Sequence, residues 1–407
     1  MMPASLDPAA FHRLIERFAA DLPGVLAGHR TVADLAHGCE RLLAAAETPF
    51  TIAVVGQMRA GKSSLINALV GADLAVTGVN ETTATVNWFR YGGPDRAGVF
   101  RAVWKDRPAE EFPIAEIRHW VGDSERARAT RCLEFFADVP FLRKTNVVDT
   151  PGTRSVLADH TRATEEFLAV RQERDTREAG DAADAIVYVL PPVAREADAD
   201  LLGEFERTTR VPGSSPYNSL AVIHKWETQE AADPHANALR KCERVRAALE
   251  GLVSVVLPVS APLGRAAELF PTAFWTGVFE LHSGTAADVL DELLLREEDF
   301  VSWEESGCPL GPPERKALRA QYPLPWTSFK AILAVARIHR PDTPDGLRAA
   351  VEQASGIAAL RAALDTRFLA RSRLLKAFGV LSKGLEPCQV ASSRLRNHKL
   401  RQAALLE

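Results

Sequence analysis

Gly56-Gln57-Met58-Arg59-Ala60-Gly61-Lys62-Ser63 fits the pattern G-x4-G-K-[ST]. Residues 51–55, Thr-Ile-Ala-Val-Val, precede it as a short apolar run fit for a buried parallel strand. Residues 63–70, which include Ser64, follow it and read as a helix. A strand, a glycine-rich turn and a helix N-terminus are the context in which this pattern cradles phosphate. Backbone N–H groups of the turn wrap the anion, and the positive end of the helix dipole faces the same charge. In that setting Lys62 reaches the β- and γ-phosphates and the Ser63 hydroxyl ligates Mg²⁺. The alternative is a purely structural glycine turn.

Working outward, apolar runs recur at 85–91, 146–148, 185–190, 220–223 and 253–259, with helix-like stretches between several of them. This alternation predicts an α/β domain with a mostly parallel central sheet. Upstream, Phe11, Leu14, Ile15 and Phe18 recur at helical spacing, as do Leu35, Leu42 and Leu43, with a break at Pro23-Gly24. After about residue 283 the β signals fade. Leu290, Leu293, Leu294 and Leu295 share one helix candidate. Residues 306–325 are rich in Pro and Gly and read as a linker, and 327–338 and 344–383 are helical in pattern. The expected organisation is a helical segment at 1–47, a nucleotide-binding α/β domain at 48–282, and a helical region with a basic tail at 283–407. The flanking helical segments are expected to form a bundle.

Composition bounds the class. Of 407 residues, 46% are hydrophobic and 25% charged, which excludes a mostly disordered chain. No run of apolar residues is long enough to cross a bilayer as a helix, and residues 1–8 carry no secretory pattern. Cys39, Cys132, Cys242, Cys308 and Cys388 are scattered and lack metal-ligand spacing, so reduced thiols in a cytoplasmic protein are expected. The net charge is −4, yet residues 361–407 hold ten Lys or Arg against three Asp or Glu. A basic tail on an acidic body offers a surface for phosphates, lipid headgroups or an acidic partner. A solvated helix face is the plainer reading.

The remaining boxes follow from the first. Asn146-Val-Val-Asp149-Thr-Pro-Gly152 places an Asp at a strand end. Asp149 would hold Mg²⁺ through water, and the Gly152 N–H would sense the γ-phosphate. A DTPG ending points toward GTPases and away from transporter ATPases. The run 219–223 is followed by His224-Lys225-Trp226-Glu227, where a guanine-reading [NT]-K-x-D box would stand. Lys225 can lie along the base plane. Glu227 offers the two acceptors of Asp on a side chain one methylene longer, and His224 replaces Asn or Thr. Base specificity depends on such buried hydrogen bonds, so strict GTP preference stays open. Ser260-Ala261, after the run 253–257, matches the last box.

These residues resemble the bacterial dynamin-like proteins, within the wider class of P-loop GTPases. The resemblance is carried by residues 54–71, 80–91, 140–152, 183–190 and 256–261, and covers about 48–265. Residues 355–361 resemble a helix that follows such domains. Spacing agrees: Thr83 and Asp149 stand 66 positions apart. Era-like GTPases place these residues much closer, with a simple hairpin between. Dynamin-like proteins insert extra strands and a helix, for which 99–104, 114–121 and 133–136 are candidates. The resemblance makes Thr83 the switch threonine over Mg²⁺ and the γ-phosphate, with Thr82 as its near alternative. It also implies that Arg59, inside the phosphate loop, acts as an arginine finger supplied in cis and reoriented by dimerisation of the GTPase domains. An exposed loop arginine is the bland alternative. Thr153 stands where Ras-like enzymes carry a water-orienting Gln. The catalytic water would then be positioned by main chain or by a potassium ion (K⁺), and basal turnover should be slow.

The resemblance implies GTP and GDP as ligands, a nucleotide-dependent homodimer or a hetero-oligomer with another GTPase, and an anionic membrane surface as a further partner. That makes the protein cytoplasmic or peripheral to a membrane. The aromatic stretch at 270–279, with Phe274 and Trp275, is either a lipid contact or core. The 146 residues after Ala261 are short for a full stalk, which weighs against membrane remodelling. A regulatory GTP switch acting on a protein partner is the second reading, with Arg394, Arg396, Lys399 and Arg401 as its docking site. An Era-like RNA or ribosome GTPase ranks third, because no RNA-binding motif accompanies the basic tail. An ATP-using enzyme rests on His224 and Glu227 alone.

Overall fold

The computed structural model describes residues 48–75 except 58, 86–150 except 123, 183–192, 215–304 except 230 and 232, and 307–378. The expected helical segment at 1–47 and most of the basic tail lie outside the described residues, as do Met58, Thr82, Thr83, Gly152 and Thr153. Within them the apolar runs become one sheet. Its strands are β1 (Thr51–Gly56), β2 (Val86–Tyr91), β3 (Val99–Trp104), β4 (Glu110–Pro113), β5 (Thr130–Ala137), β6 (Asn146–Asp149), β7 (Ala185–Leu190), β8 (Ser219–His224) and β9 (Val256–Val259). Their spatial order is β4-β3-β5-β2-β6-β1-β7-β8-β9.

From β6 through β1, β7, β8 and β9 every pairing is parallel. Every residue of β1, β6, β7 and β8 is buried, which is why these strands read as unbroken apolar runs rather than as alternating ones. Beyond β6 the sheet becomes mixed: β2 runs antiparallel to β6 and parallel to β5, and β3 runs antiparallel to β5 and β4. The insertion expected between Thr83 and Asp149 is therefore real. It comprises β3, β4 and β5 with short helices at Ile117–Gly122 and Ser124–Ala129. Phe100 anchors it, stacked on Phe112 and edge-on to Trp120 at a centroid distance of 5.4 Å.

The main helices are α1 (Lys62–Val70), α2 (Pro234–Ala248), α3 (Ala261–Leu269), α4 (Thr272–Gly284), α5 (Ala287–Leu293), α6 (Glu297–Ser302), α7 (Pro312–Gln321), α8 (Trp326–His339), α9 (Pro344–Ser355) and α10 (Ile357–Arg367). A second hydrophobic core joins α3 to α9 around Phe274, Trp275, Phe300, Phe329, Ile332 and Leu347, and it takes in Trp226 from the turn after β8. Phe274 and Trp275 are 1% and 0% exposed, so the lipid-contact reading of this aromatic stretch is replaced by core packing. No helix among the described residues is long and apolar enough to cross a membrane.

The linker expected at 306–325 also needs correction, because it holds helix α7. Pro312 and Pro313 occupy the first turn, where a missing N–H costs nothing, so the prolines begin a helix here. Arg315 of α7 is 0% exposed. Its guanidinium donates to Phe300 O at 2.6 Å, to Leu310 O at 3.2 Å and to Trp303 O. The helical pattern at 344–383 breaks at Gly356, which adopts φ 72° between α9 and α10. A Cβ there would come 2.0 Å from Pro258 O, so glycine permits α9 to end directly against β9.

Candidate nucleotide site

The site is built where the parallel strands end. β1 ends at Gly56 and the loop returns to open α1 at Lys62. Arg59 at φ 61° and Gly61 at φ 90° have left-handed backbone in this loop. Gly61 has a second reason to be glycine: a Cβ would stand 2.5 Å from His224 Nδ1. Lys62 is buried, and its Nζ donates to Gly56 O at 3.2 Å and Gln57 O at 3.1 Å, which holds the ammonium within the loop. Arg59 is exposed on the same loop, and Ser64 is half-buried in α1.

The strand pairing brings the first carboxylate to this loop. Val54 and Asp149 are register partners of β1 and β6. Ser63 Oγ donates to Asp149 Oδ2 at 2.8 Å, and Thr150 Oγ1 donates to Val54 O at 2.9 Å. A hydroxyl and a carboxylate oxygen are hard donors of the kind Mg²⁺ takes, so the donor set fits that ion.

The turn after β8 and the loop after β9 form the other wall. His224 is fully buried. Its Nδ1 lies 3.0 Å from Ala60 O, and its Nε2 accepts from the Ala261 N–H at 3.4 Å. That network assigns a neutral ring with its hydrogen on Nδ1. Burial, reinforced by the adjacent Lys225 charge and opposed by the Ala60 contact, pulls its pKa down to about 4. Lys225, with φ 62°, lays its side chain across the loop and donates to Arg59 O at 3.1 Å. Ser260 caps α3 by accepting from the Leu263 N–H.

Glu227 is 5% exposed. Burial raises its pKa, against the hydrogen bonds of its own backbone, Ser260 and Ser328 and the attraction of Lys225. Its Oε1 accepts from Ser328 Oγ of α8 at 3.3 Å, while Oε2 accepts no hydrogen bond among the described residues. A buried acceptor left in this condition is suited to a donor-bearing ligand edge.

Sequence reading thus located Gly56, Gln57, Arg59, Ala60, Gly61, Lys62, Ser63, Asp149, Lys225, Glu227, Ser260 and Ala261 on one rim of the sheet. It missed the supports from the C-terminal helices. Ser260 N donates to Ser355 O at 2.8 Å, and Arg361 donates to Ala68 O at 2.8 Å and Leu69 O at 3.0 Å, at the end of α1. Ser355 and Arg361 stand at the two ends of the stretch 355–361 already singled out by resemblance, but the main-chain acceptor of Ser355 and the reach of Arg361 to α1 were not legible there, and Ser328 stands in no motif.

The profile of the dynamin family matches residues 52–202. The isoniazid-induced protein IniC of Mycobacterium tuberculosis is 28% identical over 350 residues, covering 84% of this chain and 67% of IniC. Dynamin-like protein 2 of Campylobacter jejuni is 32% identical over 101 residues, covering 25% of this chain and 16% of that protein. A solved structure of an oligomerised bacterial dynamin pair, described as a mechanism for long-range sensing and tethering of membranes, aligns over 83% of this chain. The alignment takes in 44% of that structure's chain, with TM-score 0.44 and 15% identity. The chain therefore spans two thirds of the first relative and less than half of the solved one.

Proposed function

We propose that this chain, whose residues 52–202 match the dynamin family profile, is a GTPase of that superfamily: it binds GTP with Mg²⁺, hydrolyses it to GDP, and couples the cycle to dimerisation of its GTPase domains and to an anionic membrane surface. The observation that carries the catalytic part is the pairing of Ser63 with Asp149 at 2.8 Å beside the loop-held Lys62. In this reading Lys62 binds the β- and γ-phosphates. Ser63, Thr83 and Asp149 hold Mg²⁺, which neutralises charge on the phosphate oxygens when bound. The backbone N–H groups from Gln57 to Ser64 wrap the phosphates, and the Gly152 N–H senses the γ-phosphate. Lys225 lies along the base, Glu227 accepts from the guanine edge, and Ser260 and Ala261 close that side.

Arg59 is the candidate finger. It is exposed on the phosphate loop, where a second GTPase domain could redirect it, and a finger is worth about 10³–10⁵ in rate. With Thr153 in place of a glutamine, main chain or K⁺ would orient the attacking water. The helical region from 283 onward, with a helical segment from 1–47, would be the mechanical part. The basic excess of residues 361–407 supports attraction to anionic lipid.

The test is GTP turnover against protein concentration, in KCl and in NaCl, with ATP as control, with and without anionic liposomes. Turnover that rises with protein concentration and again with liposomes is expected. Arg59→Ala should remove the concentration-dependent part. GTP-specific turnover indifferent to concentration and lipid would leave a regulatory switch in place of a membrane-coupled machine.

A further inference from the structure

We propose that Ser328, in the C-terminal helical region, is a positioning residue for guanine specificity, acting through Glu227. The inference rests on the reading of Glu227 as the base-facing carboxylate and adds to it the group that aims that carboxylate.

The need for such a group follows from the sequence. A glutamate has one more methylene and one more free torsion than the aspartate that this box ordinarily carries, so its carboxylate sweeps a wider arc and loses more entropy on fixing. A base-reading acceptor must be held to within a fraction of an ångström if it is to discriminate. Something has to restrain the extra torsion.

Ser328 meets that need by geometry. It is 0% exposed and lies in the first turn of the 14-residue helix α8. Its hydroxyl donates to Glu227 Oε1 at 3.3 Å, across 101 positions of sequence. The N-terminal turn of a helix also favours a nearby negative charge. One oxygen of Glu227 is thereby tethered and the other, Oε2, is left buried and unbonded among the described residues. The turn that carries Glu227 is seated by Trp226, which is 1% exposed in the second core and has its ring 5.2 Å from that of His235 in α2. The helical region thus supplies part of the seat of the base-reading turn, and Ser328 adds from α8 a hydroxyl to the contacts that Ser260 and the turn's own backbone make with the Glu227 carboxylate. Among the described residues Ser328 makes no hydrogen bond to the phosphate loop or to Asp149, so its effect should fall on the base and not on the phosphates.

The experiment uses the full chain stripped of nucleotide, with fluorescent GDP and ADP analogues titrated in Mg²⁺ buffer. Ser328→Ala should weaken GDP about tenfold, as expected for loss of a hydrogen bond to a charged group, and leave ADP within about twofold. Ser328→Cys, nearly isosteric and a weak donor, should behave like the alanine variant without opening a cavity, so a folded protein is available in either case. Ser328→Thr keeps the hydroxyl and should restore the GDP-to-ADP ratio. Glu227→Gln is the control for the underlying reading and should abolish the ratio by itself. If Glu227→Gln abolishes the preference while Ser328→Ala and Ser328→Cys keep it, the role of Ser328 is overturned and the base-reading glutamate stands. If Glu227→Gln also leaves the preference intact, both fall. Equal weakening of GDP and ADP by the Ser328 variants would mean a structural residue, and that too overturns the proposal.

Discussion

His224 Nδ1 lies 3.0 Å from Ala60 O, joining the turn after β8 to the phosphate loop through a neutral, wholly buried imidazole. On its other side Nε2 accepts from the Ala261 N–H. One ring therefore ties the turn after β8 to the loop before α1 and to the start of α3. Replacing it by leucine leaves a buried carbonyl and a buried N–H without partners. His224→Leu should cost about 2–4 kcal/mol in urea unfolding at pH 7.5, because each orphaned buried group costs about 1–3 kcal/mol.

The same ring makes stability depend on pH in a defined window. Its pKa is pulled down to about 4 in the folded protein from an ordinary value of 6.5. Above pH 6.5 both states are neutral there and the ring contributes no slope. As pH falls from 6.5 toward 4, the unfolded chain binds a proton that the folded chain refuses, so stability is lost. Burial lowers the pKa of His235 and His282 too, which adds in the same direction. From pH 7.5 to pH 5.5 the His224 share is about 1 kcal/mol. His224→Leu should flatten that part of the profile; an unchanged slope in urea titrations at both pH values would contradict the burial argument.

Ser63 and Asp149 come from β1–α1 and from β6, and the parallel pairing of those strands is what sets them 2.8 Å apart. Ser63→Ala or Asp149→Asn should lower GTP turnover by about 10²-fold or more while leaving the fold intact, since both lie at strand and helix ends and not in the core. Raising Mg²⁺ should recover part of the loss for Ser63→Ala. The measurement is phosphate release across a Mg²⁺ series, with the circular dichroism spectrum of each variant as the check on folding.

Arg361 of α10 donates to Ala68 O and Leu69 O, two carbonyls in the last turn of the phosphate-loop helix. It supplies both hydrogen bonds and a favourable charge at the negative end of the α1 dipole. Arg361→Ala should cost about 1–2 kcal/mol in urea unfolding, and Arg361→Lys should recover less than half, because an ammonium lacks the planar fork that reaches both oxygens.

Much of this was legible in the sequence where chemistry and burial coincide. β1, β7 and β8 are covered on both faces and so announce themselves as apolar runs, and the phosphate loop is a local pattern whose residues must be contiguous. The insertion strands were legible from spacing. What stayed hidden was long-range. The stretch 355–361 was singled out by resemblance, but not that the Ser355 carbonyl and the Arg361 guanidinium reach Ser260 and α1, nor that Ser328 reaches Glu227, each across roughly a hundred positions or more. The aromatic residues at 270–279 admitted a lipid contact beside the commoner core packing, and Phe274 and Trp275 lie inside the helical core. Composition misled at 306–325, where the prolines begin α7 instead of interrupting structure.

The buried arginine of that helix gives the sharpest stability prediction. Arg315 is 0% exposed, and the partners found for it are backbone carbonyls, Phe300 O, Leu310 O and Trp303 O. Two of these belong to the end of α6, whose last carbonyls have no partners within the helix. The guanidinium also lies 5.5 Å from the Phe300 ring centroid, so cation and ring attract in the same pocket. Removing the fork leaves three carbonyls without their donor, of which that of Phe300 is bonded in a buried position. Arg315→Met preserves the aliphatic stem but not the donors and should cost about 3 kcal/mol, well above the usual surface value. Arg315→Lys keeps the charge with a single donating atom and should recover only part of it. Urea unfolding followed by tryptophan fluorescence measures both, because Trp303 and Trp326 flank this region. A loss below about 1 kcal/mol for Arg315→Met would mean that the α6–α7 hairpin rearranges to pair its own carbonyls, and that the arginine is a passenger in the second core.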